Sequence, residues 1–367
     1  MQIKDSYDYL VHLLRSSLFN EKIIDCPDSI KLEDVYVCAK RHKVSALCFD
    51  AVKEQIINNN KLYNAWKKDR DFSVYRSTLQ MCERDKLVDF FTKSGIFFLE
   101  AQGTTVRNYY PNPLLRSMAD IDFIVDINQL SKVGEYLNIS GYDIQNSYKN
   151  EIVAISNQNV SIEIHTDFFR DDTVLFGSMP YIKNCFDNQE KRISDTYLYL
   201  YTLLHAIKHL QNGGCGIRRV LDIYILKNKL ERVDYNIVNN ILEERGFFDT
   251  AYKLIALSNY WFEGGEYNDE LEKLAEYVKS GRAHGTLENK LSHDFSNDNK
   301  PFKKLKFVFS RIFPPYIFMK KRFPFLNKFP IALPFLWVYR AFMAIFKDSK
   351  RIRLEIKSIK KSKSHQK

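Results

Sequence analysis

The sequence predicts an α+β protein in which a small mixed sheet is flanked by N-terminal and C-terminal helical regions. Three observations lead there. Residues 1–90 contain no glycine and repeat apolar side chains at three- and four-residue spacing. From Ile96 to Thr166 the pattern changes to short runs rich in β-branched and aromatic residues, bounded by Gly, Pro, Asn and Ser. After residue 190 the helical period returns. A switch from period 3.6 to period 2 and back marks helices on either side of a sheet.

The helical reading of the first region rests on Tyr9-Leu10-Val11-Leu13-Leu14, Val35-Tyr36-Val37-Ala39 and Val44-Ala46-Leu47-Phe49-Val52, followed by Lys61–Thr92, which has no helix breaker. Ile96–Ala101 reads as a strand ending in Gln102-Gly103-Thr104-Thr105, with a short helix to Tyr109 and a turn forced by Pro111 and Pro113. A second strand starts at Asp120. Asn128 is the expected cap of a helix to Leu137, which Ser140-Gly141 stops. Strands are expected at Tyr142–Ile144, Ile152–Ser156 and Val160–Thr166, and helices at Tyr197–Leu210 and Arg218–Leu230. The expected divisions are a helical region at 1–92, an α/β domain at 93–188, a helical domain at 189–298 and a basic aromatic tail at 299–367.

The net charge of +10 is unevenly distributed. Residues 301–367 hold 18 Lys or Arg against Asp348 and Glu355, so the preceding 300 residues carry a net −6. Six scattered cysteines without a C-x-x-C pair fit reduced thiols rather than a disulfide framework or zinc knuckle. The N-terminus has early acidic residues and no apolar core, which argues against a signal peptide. No run of 18 uncharged apolar residues occurs. The expected location is the cytoplasm, with the tail a candidate contact for the inner face of the membrane.

Three segments carry candidate chemistry. In Asp120-Ile-Asp122-Phe-Ile-Val, strand alternation puts both carboxylates on one face and Ile121, Phe123 and Val125 on the other. Adjacent like charges repel, and shared divalent ions are one reason to keep them together. A D-x-D triplet is also common without metal. Gly103-Thr104-Thr105, at a strand–helix junction, could let backbone amides approach phosphate, or be a plain turn. In Ser161-Ile-Glu163-Ile-His165-Thr-Asp167, alternation aligns Glu163, His165 and Asp167, which fits a site or a half-exposed strand.

In this order the segments resemble the nucleotidyltransferase superfamily with the DNA-polymerase-β-like catalytic sheet. More closely, the chain is similar to the bacterial uncharacterised nucleotidyltransferase family. That family has a glycine before a tyrosine-rich segment, R-x-x-x-D-x-D, an acid-x-His strand and a later His-rich helix. The matching residues are Gly103, Tyr109, Tyr110, Arg116, Asp120, Asp122, Glu163, His165, His205 and His209, over roughly residues 30–230. Gln102 stands where the family commonly has lysine, and the gap from Gly103 to Asp120 is longer than in much of the superfamily.

The resemblance implies that Asp120, Asp122 and Glu163 bind two Mg²⁺ ions, with Mn²⁺ a possible substitute, and carry the catalysis. It implies that Gly103, Thr104 and Arg116 hold the nucleotide. Arg116 has a structural alternative, an ion pair with Asp126 or another acid. His165, His205 and His209 are candidates for the acceptor pocket, and packing beneath the sheet is the alternative for the last two, with zinc less favoured. Asp222 is expected to partner nearby arginines or histidines. The implied reaction moves a nucleoside monophosphate from an NTP to a hydroxyl or phosphate of a small molecule, glycan or lipid-linked precursor, and family members are often associated with surface polysaccharide pathways. The competing reading is a non-catalytic, membrane-recruited nucleotide-binding or regulatory protein with the same fold.

Residues 302–346 hold 11 of the 27 phenylalanines, interleaved with Lys and Arg, and Lys347–Lys367 is polybasic. That composition suits an anionic membrane surface, and nucleic acid is the less favoured partner because the body is acidic. Packing of the tail on the helical domain is the third alternative.

Overall fold

The computed structural model describes residues 3–101, 103–148, 150–167, 185–187 and 192–281, together with 316, 319, 323, 326, 329–337 and 339. Gln102, most of the tail and the polybasic end lie outside the described residues. The chain divides into two compact units, Met1–Lys208 with Cys215–Ala283, and His209–Gly214 with His284–Lys367.

The first unit opens with α1 (Ser6–Phe19), α2 (Leu32–Arg41), α3 (Ser45–Ile56) and the long α4 (Asn60–Lys93). Asp5 caps α1, its carboxylate accepting from the Tyr7 and Asp8 amides at 2.8 Å, and Asn59 caps α4 by accepting from the Leu62 amide. These contacts satisfy amides that have no partner within the helix.

The sheet comprises β1 (Phe98–Ala101), β2 (Asp120–Val125), β3 (Asp143–Tyr148), β4 (Glu151–Ile155) and β5 (Ser161–His165), in the order β1-β2-β5-β4-β3. Only the β2–β5 pair is parallel; β1–β2, β5–β4 and β4–β3 are antiparallel, so the sheet is mixed. Between β1 and β2 lie a single turn of helix, α5 (Gly103–Val106), and two 3₁₀ turns, Arg107–Tyr109 and Pro113–Leu115. Helix α6 (Leu130–Ile139) follows β2. The Asp126 carboxylate, not Asn128, supplies the side-chain cap, accepting from the Asn128 amide in a 3₁₀ turn that precedes α6. Gly141 ends this segment at φ +80°, a conformation that costs glycine little.

One face of the sheet is apolar. Ile121, Phe123 and Val125 of β2, Ile152 and Ala154 of β4, and Ile162 and Ile164 of β5 pack with Leu87 and Phe91 of α4 and Val133 and Leu137 of α6. Each such burial contributes roughly 1.5–3 kcal/mol relative to exposure. The alternate residues, including both aspartates, Glu163 and His165, are thereby turned to the opposite face.

The remaining helices of the first unit are α7 (Asp195–Gln211, whose end lies in the second unit), α8 (Gly216–Lys229), α9 (Tyr235–Glu244), α10 (Phe248–Phe262) and α11 (Asp269–Ser280). Helices α8, α10 and α11 pack against one another. In the second unit a 3₁₀ turn covers Pro330–Ala332. Among the described residues no helix is long and apolar enough to cross a membrane.

Candidate active site

Strand register builds the polar face. Asp122 stands opposite Glu163, and Ile124 opposite His165, across the parallel β2–β5 pair. On the other side of β5, Glu151 stands opposite His165. His165 Nε2 lies 3.2 Å from Asp122 Oδ1 and 3.5 Å from Glu163 Oε2, while its Nδ1 lies 3.7 Å from Glu151 Oε1. Asp122, Glu163 and His165 each offer one ligand atom, all within 4.8 Å of one another, an arrangement that could hold a metal ion. Two carboxylate oxygens and an imidazole nitrogen suit a divalent cation, with oxygen favouring the harder ions.

The composition of this group differs from the expected set. His165 takes the third place, and Asp120 lies outside it, its backbone opposite Ser161. The reason is geometric: parallel pairing brings Asp122 and Glu163 level, and His165, on the same face two residues after Glu163, places Nε2 within 3.5 Å of both carboxylates. Asp120 still feels the site. Burial, and then the charge of Asp122, push its carboxyl up to about 6, with Arg218 and His165 opposing. Asp167, aligned with Glu163 and His165 by sequence alternation, falls beyond the end of β5.

Arg116 is bound on arrival. Its Nε and Nη2 donate to Asp222 Oδ1 and Oδ2 at 2.8 and 2.7 Å, a bidentate pair in which both side chains are buried. Tyr110 donates its hydroxyl to the same Oδ1 at 2.7 Å. Burial would by itself raise the Asp222 carboxyl, but Arg116 holds it below its ordinary value. The phosphate-binding expectation for Arg116 therefore concerns a guanidinium whose Nε and Nη2 are held by Asp222, with Nη1 directed at the Gly103 carbonyl 3.4 Å away. The alternative partner Asp126 is excluded in favour of Asp222.

Gly103 is set by the same arginine. A Cβ on it would meet Arg116 Nη1 at 3.0 Å and Met118 Sδ at 3.1 Å, so the glycine lets α5 sit against this pair. Thr104 and Thr105 are buried; Thr105 donates its hydroxyl to the Glu100 carbonyl, whereas the Thr104 hydroxyl has no partner. His205 and His209 are half-buried on α7 and neither belongs to the metal-capable group; His209 falls in the second unit.

Sequence reasoning passed over Glu151 and considered Arg218 only as a structural partner of Asp222. Glu151 reaches His165 from the neighbouring strand, and only strand pairing reveals it. Arg218, at the start of α8, donates from Nη1 to the Ser117 carbonyl at 2.6 Å, just ahead of β2. Its signal was an arginine pair in the first turn of a helix, where positive charge opposes the helix dipole.

Comparison with known proteins agrees with this geometry. No curated protein matches the chain. A family model described as an uncharacterised nucleotidyltransferase matches residues 28–263, which includes the whole sheet and both sides of the Arg116–Asp222 pair. With most of its length matched, and with a carboxylate-bearing mixed sheet at the centre of the match, the chain belongs to this nucleotidyltransferase family.

Proposed function

We propose that the protein transfers a nucleoside monophosphate from an NTP to a hydroxyl or phosphate group of a small-molecule, glycan or lipid-linked acceptor, releasing pyrophosphate. The observation that carries this is the register of Asp122 against Glu163, with His165 closing the group, in a sheet of the nucleotidyltransferase family. Asp122, Glu163 and His165 would hold a divalent ion, and Asp120 is the candidate to join them for a second, Mg²⁺ being the expected species. Bound there, such ions would neutralise phosphate charge and make the attacking oxygen a better nucleophile.

The residues themselves suggest a division of labour. The acceptor oxygen forms a bond to the α-phosphorus as the bond from that phosphorus to the bridging oxygen breaks, and pyrophosphate carries away the electron pair. Glu163 is the candidate to take the hydroxyl proton. The half-buried setting of the carboxylates limits water that would otherwise compete as acceptor. Arg116 and Asp222, fixed to each other and to Tyr110, position the segment leading into β2 and the α5 turn. Gly103 and Thr104 are proposed to face the outer phosphates, the unpartnered Thr104 hydroxyl being the supporting observation.

Labelled ATP, CTP, GTP and UTP, each supplied with Mg²⁺ and cell extract, provide the test. We expect one nucleotide to label an acceptor, and Asp122→Asn or Glu163→Gln to cut the rate by about a hundredfold or more. The same variants should weaken Mn²⁺ binding measured by electron paramagnetic resonance. Absence of transfer with all four nucleotides, or undiminished transfer in the variants, overturns the reading.

The tail is proposed to meet an anionic membrane surface from the cytoplasmic side. Phe329, Ile331 and Phe335 are 66%, 85% and 76% exposed, as expected of apolar side chains awaiting an interface.

A further inference from the structure

Four arginines are buried in electrostatic reach of the Arg116–Asp222 pair: Arg107, Arg116 itself, Arg218 and Arg219. Arg116 occupies both carboxylate oxygens of that aspartate. Arg107 donates only to the Pro113 carbonyl, at 3.2 and 3.0 Å. Arg218 donates to the Ser117 carbonyl, and its Nε is buried with no partner. Carbonyl oxygens align a guanidinium but do not neutralise it. Burying a charge without a directly bonded counter-ion is costly, so natural structures supply a counter-ion or a ligand.

The position of Arg218 sharpens the point. It lies in the first turn of α8, a helix of 14 residues that has no acidic residue in that turn. Helix N-termini favour anions and disfavour cations. Two buried arginines there, Arg218 and Arg219, concentrate positive potential where the helix already presents it. Burial, followed by the charge of Arg116, lowers the Arg218 pKa, and Arg219 is lowered to about 9 by burial and then by Arg218. Asp120, at the edge of the metal-capable group, is within electrostatic reach of Arg218. Arg218, which makes no direct ion pair among the described residues and feels Asp222 and Asp120 only at longer range, thus stands next to the proposed reaction centre.

We propose that Arg218, at the head of α8, binds a phosphate-bearing anion beside the Asp122–Glu163–His165 group. The anion is either the outer phosphates of the nucleotide donor or a phosphate carried by the acceptor, an identity that rests on the transfer reading. Arg116 is committed to Asp222, so Arg218 takes over the phosphate contact that the sequence suggested for Arg116. Guanidinium forks bind phosphate oxygens in pairs, and the unpartnered Nε is one of the five donors available for this.

Pyrophosphate titrated into the full chain in EDTA, followed by calorimetry, tests the site without transfer or metal. We expect binding, weakened about tenfold or more in Arg218→Gln, in keeping with loss of a charge-assisted hydrogen bond. Glu163→Gln, which removes a repelling carboxylate, should bind at least as tightly as the wild type. Because Arg218→Gln removes a buried residue, hydrogen exchange of the wild type gives a second reading: pyrophosphate should slow exchange in the peptide covering 216–222. No binding, equal binding in a folded Arg218→Gln protein, or binding without protection of that peptide overturns the proposal. Displacement of pyrophosphate by a nucleoside triphosphate assigns the site to the donor, whereas simultaneous binding assigns it to the acceptor phosphate. Metal-free binding that persists when no nucleotide supports transfer would defeat the transfer reading alone, and transfer without the α8 footprint would defeat this proposal alone.

Discussion

At the scale of single residues, Asp222 does more than its place in the middle of a helix suggests. It accepts from Arg116 twice and from Tyr110 once, and it is the acid that buried arginines on two segments share. Replacing it by Asn keeps the shape and removes the charge. We expect Asp222→Asn to destabilise the protein by about 3–5 kcal/mol, because Arg116 is left buried without its counter-ion. Urea denaturation measures this; a loss below about 1 kcal/mol would mean that the pair is a weak one, as exposed ion pairs are. The sequence showed Arg116 and Asp222 as candidates, with the arginine's partner open. Their separation of 106 residues is why no local pattern could join them.

At the scale of elements, His42 ties α8 and α11 to the segment after α2. Its Nδ1 accepts from the Ile217 amide at 3.1 Å, and its Nε2–H donates to the Lys279 carbonyl at 3.1 Å. Accepting from the Ile217 amide needs the neutral ring, whereas donation to the Lys279 carbonyl would survive protonation. Burial lowers its pKa from 6.5 to about 4. A group held below its unfolded pKa favours folding fully above about 6.5, and that contribution is lost as pH falls toward 4. The shift corresponds to roughly 3 kcal/mol. Wild-type stability should therefore fall between pH 7 and pH 4.5. In His42→Gln the fall should be shallower, from a lower starting stability, and parallel denaturation curves would sink the assignment. Helix and strand positions themselves were largely readable: α4 runs Asn60–Lys93 where the sequence lacks any breaker, and β2 starts at Asp120. The cap of the α6 segment was not, because Asp126 and Asn128 are both good caps and backbone geometry chooses between them.

At the scale of the whole molecule, charge separates the chain into an acidic body and a strongly basic end. Attraction of that end to anionic lipid is worth about 1 kcal/mol per basic residue close to the surface. We expect the full chain to sediment with phosphatidylserine-containing vesicles and not with neutral ones, with binding weakened by salt and abolished by truncation after residue 300. Binding of the truncated chain at full strength would remove the tail from the interaction. An RNA competitor that strips the protein from vesicles would favour nucleic acid as the partner of the basic end.

Asp120, Asp122, Glu163 and His165 could be placed on polar strand faces from the linear chain, because alternation is a local property of an extended backbone. The order of motifs also pointed to the family, since chemistry and spacing survive in one dimension. Pairing is different. The parallel docking of β2 on β5 brings Asp122 level with Glu163, draws in His165 and leaves Asp120 at the margin. The packing of α8 delivers Asp222 to Arg116 and Arg218 to the approach of β2. Such contacts join segments some 40 to 110 residues apart, so they depend on which buried surfaces fit together rather than on any local preference.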